Sequence, residues 1–452
     1  MFTSLILAAG MGTRMKSKMP KVIHKVCGKE LVRWVIDASR VAGADEVITV
    51  IGHKADSVRP VIENDARIAI QSEQLGTGHA VMMAKEHITD GCVVILAGDT
   101  PLIRAETIKA AVEYHAAQGN SATVITAEMD DATGYGRIVR GADGSVLRIV
   151  EQKDASEEEK AIKEINSGMY VFDGADLKDA LGKLTPNNAQ GEYYLTDTLE
   201  ILRGDGKKIG GYTISDNDEI RGINNRVQLS EAEAVMQERI NKYHMMNGVT
   251  IIEPKSVFIS ADAEIGADTI IASNVTIEGE TKIGEDCVIE MGSKLTDAQL
   301  GDGVHVTSSV IIKSSIGDGT SVGPFAYVRP GCRIGKNVKV GDFVEVKNDV
   351  IGDGTKISHL TYLGDSDIGK NVNFGCGTVT CNYDGKDKFR STIGNDVFVG
   401  CNTNFVSPVK VGDGAYIAAG STITDDIPDK SLAIARSRQT NKTDWKGNKY
   451  AK

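Results

Sequence analysis

From Val249 to Thr424 one short phrase keeps returning, an aliphatic residue followed by glycine: Ile265-Gly266, Ile283-Gly284, Ile316-Gly317, Ile334-Gly335, Val340-Gly341, Ile351-Gly352, Ile368-Gly369, Ile393-Gly394, Val399-Gly400 and Val411-Gly412. Many of the gaps are six residues or close to a multiple of six, as from 334 to 340 and from 316 to 334. A six-residue period with Asp, Asn, Gly and Lys between the aliphatics predicts a parallel β-helix. Each short strand turns one aliphatic inward, the small residue beside it lets the chain bend, and the polar residues face water. No single coil buries its own apolar edge, so coils stack into one continuous core. A β-sandwich with Gly-rich turns would not sustain this register.

At 452 residues the chain exceeds one ordinary core, and two or three domains are expected. The 51 Lys and Arg against 62 Asp and Glu argue against a nucleic-acid footprint. Local basic residues still permit phosphorylated substrates. Seven scattered cysteines without CxxC pairs predict reduced thiols in a cytoplasmic protein. The apolar run Leu5 to Ala9 lacks a basic flank and is too short to span a bilayer, so it reads as a buried strand and no membrane insertion is expected.

Residues 1–225 alternate strand and helix patterns. Strands are predicted at Ser4–Ala8, Glu46–Val50, Ile68–Ile70, Cys92–Ala97, Ala122–Ala127 and Met169–Phe172, and helices at Leu31–Ala42, Gly78–Lys85 and Glu106–Gln118. This predicts an α/β domain with a Rossmann-like, mainly parallel sheet and ligands at the carboxyl ends of its strands. The first such end reads Leu7-Ala8-Ala9-Gly10-Met11-Gly12-Thr13-Arg14-Met15. Small residues there let backbone N–H groups approach phosphate, with Arg14 and Lys21 adding charge, although a tight turn needing positive φ explains the glycines equally. Met15 stands where both the P-loop and the dinucleotide fingerprint require glycine.

The run Leu7 to Met15, followed by Pro20-Lys21, resembles the signature of the sugar-1-phosphate nucleotidyltransferases. Further resemblances follow in the family's order. Gln71 and Gly76-Thr77-Gly78-His79-Ala80 are similar to the segment that reads uracil, and Ala97-Gly98-Asp99-Thr100-Pro101 to the strand end whose Asp holds Mg²⁺. Segments at Tyr135-Gly136-Arg137, Ile149 to Asp154 and Ile165 to Gly168 resemble the sugar-binding parts, which implies Glu151 and Asn166 on sugar hydroxyls and Gly136 on the acetamido group. Ile223-Asn224-Asn225 resembles the segment giving the second metal ligand, so the implied metal set is Asp99 and Asn224. An Asp after a buried strand is otherwise as readily a loop cap. The resemblance assigns Leu7, Ala8, Ala9, Gly10, Arg14, Lys21, Gln71, Gly76, Thr77, Ala97, Gly98, Asp99, Gly136, Glu151, Asn166 and Asn224 to UTP and the sugar nucleotide.

Residues 226–247 carry apolar positions at helical spacing and predict a linking helix, with His244 as a solvated residue on it. Beyond it lie residues 248–452. Departures from the repeat matter most there: Arg329-Pro330-Gly331, Val344 to Asn348, Ser358 to Asp365 (read as an interruption of the rhythm), and Thr380 to Phe389, a polar loop inserted between coils. Such loops make a solenoid's binding face. Together the two halves resemble, over nearly the whole chain, the bacterial enzymes that join an N-acetylglucosamine-1-phosphate uridyltransferase to a glucosamine-1-phosphate N-acetyltransferase. The resemblance implies a left-handed β-helix and a homotrimer. It makes His359 the general base and places Arg329, Lys347, Tyr362, Asn373 and Lys388 on the acetyl acceptor. Cys376, Asn382, Tyr383, Cys401, Ala419 and Arg436 fall on acetyl-CoA, Lys388 also lying where coenzyme A passes. Substrates would be UTP, glucosamine-1-phosphate, GlcNAc-1-phosphate and acetyl-CoA. Cys401 stands where Ser is common, Cys376 where Ala is common, and Ala97 where an aromatic is common. Neither cysteine is expected to act as a nucleophile, because buried β-helix cysteines are small inert hydrophobes. The tail from Arg436, around Trp445, is read as wrapping a neighbouring subunit or disordered. Two rival readings are a nucleotidyltransferase whose β-helix is only an assembly rod, and a non-enzymatic binder of sugar nucleotides.

Overall fold

Strand Phe2–Ala8 (β1) is buried along almost its whole length on both faces, as a central parallel strand must be. The computed structural model describes residues 2–188 and 190–445 and divides into two units, one ending at Gln237 and one beginning at Glu238. The first unit continues with β2 (Glu46–Ile51), β3 (Arg67–Ile70), β4 (Cys92–Ala97), β5 (Ala122–Glu128), β6 (Arg137–Arg140), β7 (Val146–Val150), β8 (Glu164–Asp173) and β9 (Ile209–Ile214). The sheet order is β9-β5-β8-β4-β1-β2-β3. All of these run parallel except β8, which is antiparallel to both β4 and β5, and the β6–β7 hairpin hangs from it. The hairpin and β9 were not foreseen. Gly210-Gly211 inside β9 removes the side-chain signal a strand normally shows.

The second unit is a left-handed parallel β-helix with three walls of eleven, ten and nine short strands among the described residues. The first wall runs from Thr250–Ile251 to Leu432–Ala433, the second from Phe258–Ile259 to Thr422–Ile423, and the third from Glu264–Ile265 to Lys410–Val411. One inward aliphatic per strand (Ile277, Ile311, Ile334 and Ile357 among them) forms a single core along the axis. The repeated glycines serve stacking rather than bending. Gly317 and Gly352 have no positive φ, yet a Cβ on either would lie 2.6 Å from the backbone of the next coil.

Two further expectations are corrected. Ser358 to Asp365 does not interrupt the solenoid: Lys339 pairs with Lys356 and Glu345 with Tyr362, each 17 residues on. The interruption comes later, where Ser366 pairs with Ser391 after 25 residues. His244, on helix Arg226–Met246, is buried rather than solvated, and burial pushes its imidazole below its ordinary pKa. It lies one turn beyond Asn241, whose Nδ2 donates to the Pro254 and Val257 carbonyls at 2.7 and 3.1 Å. Residues 446–452 of the tail lie outside the described residues, and Trp445 is exposed.

Candidate functional sites

In the first unit the ends of β1 and β4 are tied by Gly98 N–H donating to Leu7 O at 2.9 Å. Asp99 O accepts from Ile223 N–H at 3.0 Å, which brings Asn224 to the same place. Lys21 Nζ pairs closely with the Asp99 carboxylate and lies 3.1 Å from Asn224 Oδ1. Arg14 Nη2 donates to that same Oδ1 at 2.9 Å. Gly12 makes this possible twice over, because its φ is +60° and a Cβ there would sit 2.6 Å from Lys21 Cβ. The turn explanation offered for this loop holds: Gly12 is left-handed, and its lack of a side chain also clears the way for the lysine.

Asp99 and Asn224 present two hard oxygen donors that converge on one cation, the Lys21 ammonium. That set suits Mg²⁺, which takes one or two protein oxygens and completes its shell with water and substrate phosphate. Among the described residues no group of three or more His, Cys, Asp or Glu is placed to hold a metal.

Beside this point opens a cleft of about 700 Å³ lined by Leu7, Thr77, Glu151, Asn166, Tyr170 and Tyr194 among others. Asn166 Nδ2 donates to Tyr170 Oη at 3.0 Å, and Asn166 N–H to Gly136 O at 2.9 Å. Glu151 is exposed at the cleft, where desolvation followed by the charge of Asp154 raises its carboxyl pKa. A Cβ on Gly136 would meet Ile149 at 2.9 Å and Glu151 at 3.3 Å. Gln71 is buried with Nε2 donating to Gly76 O at 3.0 Å, and Thr77 Oγ1 accepts from Leu195 N–H at 3.1 Å. Ala8 and Ala9 are buried at the strand end, whereas Gly10 is exposed beyond it. Ala97 and Asp99 line a second cleft with Arg14 and Asn224, and Gly134 borders both clefts.

In the second unit His359 is exposed, and its Nδ1 lies 2.6 Å from Asp342 Oδ1 on the preceding coil. The hydrogen bond from His359 holds the Asp342 carboxyl below its usual range. An ionised carboxylate only accepts, so Nδ1 carries a proton, and in the neutral imidazole the lone pair is on Nε2. Sequence reasoning missed Asp342. Its signal is a carboxylate 17 residues, one coil, before the histidine.

Register continues this position from coil to coil: Asp342, His359, Cys376, Cys401, Ala419. The backbone bonds Gly377 N to Leu360 O, Asn402 N to Cys376 O and Gly420 N to Cys401 O follow the same line. At about 4.8 Å per coil, His359 and Ala419 are about 14 Å apart along one edge. Arg436 closes the row, its Cδ lying 3.6 Å from where a Gly420 Cβ would stand. Three residues assigned to acetyl-CoA thus form one line with His359. Cys401 is exposed and Cys376 partly so, which corrects the expectation that both are buried.

Around the corner, on the second wall, Arg329 pairs with Glu345 at 2.8 Å and Lys347 Nζ lies 3.7 Å from Asp365 Oδ2. Tyr362 stands beside Glu345 in register. Lys388, from the inserted loop, faces Lys347, and a hydrogen bond between the two amino groups, followed by the charge of Lys347, pushes the Lys388 pKa down. Asn382 is buried with Nδ2 2.6 Å from Asp365 Oδ2, while Tyr383 is exposed with Oη on Gly385 O at 2.6 Å. Asn373 does not join this group. It lies on the first wall, between Lys356 and Phe398.

Comparison with known proteins follows the same division. A nucleotidyl transferase model matches residues 3–218. A bacterial transferase hexapeptide model matches 313–348 and 390–425, and a hexapeptide repeat of succinyl-transferase 263–297. The chain is 59% identical to the bifunctional protein GlmU of Acetivibrio thermocellus, over 98% of this chain and 96% of that one. It is 56% identical to that of Caldanaerobacter subterraneus subsp. tengcongensis and 54% to that of Clostridioides difficile, each over 98% of this chain and 97% of the relative. With this identity sustained across both units, the chain belongs to the bifunctional GlmU family.

Proposed function

We propose that the chain performs two successive transfers on a phosphosugar, with uridylyl transfer in residues 1–225, a helical linker at 226–247 and acetyl transfer in 248–452. The protein is an enzyme of UDP-N-acetylglucosamine synthesis: it acetylates glucosamine-1-phosphate with acetyl-CoA and then joins the product to UTP, releasing pyrophosphate. The observation that carries the residue-level reading is the pair of polar sites, Lys21–Asp99–Asn224 in one unit and Asp342–His359 in the other.

In uridylyl transfer, Asp99 and Asn224 would hold Mg²⁺, which would supply charge neutralisation at the phosphates. Arg14 and Lys21 hold the triphosphate, Lys21 exchanging its carboxylate partner for phosphate oxygen. Gln71 and Gly76 orient the base, and Gly136, Glu151 and Asn166 grip the sugar. The sugar phosphate attacks the α-phosphorus in line, with no side chain acting as nucleophile.

In acetyl transfer, His359 Nε2 takes a proton as the glucosamine nitrogen attacks the thioester carbonyl, and returns it to the departing CoA thiolate. Arg329, Lys347 and Lys388 hold the acceptor phosphate beside Tyr362. Coenzyme A lies along Cys376, Cys401 and Ala419 toward Arg436, near Asn382 and Tyr383. Asn373, on the wall before the corner, meets the acceptor from a different side.

A homotrimer in the cytoplasm completes the reading. Phe325, Phe343 and Leu360 follow one another on successive coils, exposed by 60%, 58% and 57%, and the two rings stack at 5.5 Å. Such a ridge supports burial against another copy. No helix among the described residues is long and apolar enough to cross a membrane. The reading is tested by His359→Ala, which should lower acetyl transfer ~10²–10⁴-fold and spare uridylyl transfer. An unchanged acetylation rate removes His359 from the mechanism and favours the β-helix as a rod.

A further inference from the structure

One position on the third wall breaks its own pattern. Register aligns Thr281, Ala298, Ser314, Cys332, Asp349, Ser366 and Ser391 on successive coils. At Thr281, Ser314 and Ser391 the hydroxyl oxygen accepts the N–H of the next coil: Ala298 N to Thr281 Oγ1 at 3.2 Å, Cys332 N to Ser314 Oγ at 3.1 Å, Val409 N to Ser391 Oγ at 3.2 Å, whereas Ser366 Oγ donates to Gly364 O at 3.2 Å. Asp349 does the same through Oδ1, which accepts Ser366 N–H at 2.7 Å. A serine would suffice for that bond. A carboxylate with no exposed surface costs far more, since burial disfavours its charge.

The second oxygen explains the choice. Oδ2 accepts the N–H of Lys347 at 3.0 Å, a tie two residues back that fixes the turn carrying the acceptor-site lysine. Asn348 between them is held left-handed, at φ +53°, with Nδ2 on Asp365 Oδ1 at 2.6 Å. The other oxygen of Asp365 holds Asn382, and Arg390 donates to Asn348 O at 2.8 Å and Ser366 O at 3.0 Å. The charged groups acting on Asp349 are thus Arg390 and Asp365, and they belong to the same network as the site.

We propose that Asp349 is a positioning residue for acetyl transfer, whose second carboxylate oxygen locks the backbone at Lys347 so that its ammonium meets the acceptor's phosphate. This rests on the acetyl-transfer reading above, and wild-type release of thiol from acetyl-CoA checks that reading separately.

The experiment compares Asp349→Ser, which keeps the bond between coils and loses the one to Lys347, with the isosteric Asp349→Asn, in wild-type and Lys347→Ala backgrounds. KM for glucosamine-1-phosphate should rise about tenfold in both single variants, the scale of one lost hydrogen bond to a charged group. KM for acetyl-CoA should stay within about twofold, and in Lys347→Ala the second change should add almost nothing. The proposal is overturned if the acceptor KM is unchanged in either folded variant, if both KM values rise together, or if the effects of Asp349→Asn and Lys347→Ala multiply independently.

Discussion

Asp342 Oδ1 holds His359 Nδ1 at 2.6 Å across one coil of the β-helix, so the imidazole is oriented by a carboxylate 17 residues earlier in the chain. The bond selects the neutral tautomer with its lone pair on Nε2, as an orienting partner does in other acid–base pairs. Asp342→Ala should lower kcat for acetyl transfer by about tenfold or more, yet by less than the ~10²–10⁴-fold expected for loss of the base itself. Steady-state kinetics with thiol detection reads this directly, and a variant with wild-type kcat would make the bond incidental.

Asp99 bears on the other reaction alone. Its carboxylate is paired with Lys21 and shares that lysine with Asn224, all in the first unit. Asp99→Ala should abolish pyrophosphate release and leave acetylation at its wild-type rate. Loss of both activities in a folded protein would show that the sites are coupled.

The β-helix was legible because stacking imposes a side-chain requirement on every coil: inward aliphatics such as Ile334 and Ile351, and glycine where Gly317 or Gly352 meets the next backbone. The Lys21, Asp99 and Asn224 constellation was legible through resemblance, since contacts 78 and 203 residues apart leave no local period. Asp342 and Asp349 were hidden by their surroundings. Asp and Asn recur at solenoid corners as backbone acceptors, as Asp353 and Asp413 do, so Asp342 and Asp349 look like two more corner residues. His244 was misread because helical spacing marked the apolar face, whereas Asn241 and His244 bury a polar one.

Asp349 also makes a pH signature. Burial, opposed by the Ser366 and Lys347 N–H groups and by Arg390, raises its carboxyl from 3.8 to about 7. Between about pH 4 and pH 7 the folded chain therefore keeps a proton that the unfolded chain has released. Stability of the second unit falls as pH rises through that window and levels off above it. Thermal melts across the range should show this component in the wild type and lose it in Asp349→Ser. Parallel pH profiles for the two proteins would contradict it.

Cys401 and Cys376 are accessible, whereas Cys27, Cys287 and Cys332 are buried. Burial raises the Cys332 thiol to about 11, which further limits its thiolate. Iodoacetamide should therefore label Cys401 and Cys376 ahead of the buried set and depress acetyl transfer by at least about tenfold, with uridylyl transfer spared. Prior acetyl-CoA should protect both. Mass spectrometry showing full alkylation of Cys401 with acetylation intact would take the row of residues above His359 out of the CoA path.

The most direct test of the whole account follows free thiol and pyrophosphate separately in one reaction containing the purified protein, glucosamine-1-phosphate, acetyl-CoA, UTP and Mg²⁺. Both products should appear, with pyrophosphate lagging behind thiol and losing the lag when GlcNAc-1-phosphate is supplied. Pyrophosphate from GlcNAc-1-phosphate with no thiol ever released would contradict it, leaving the β-helix as a scaffold.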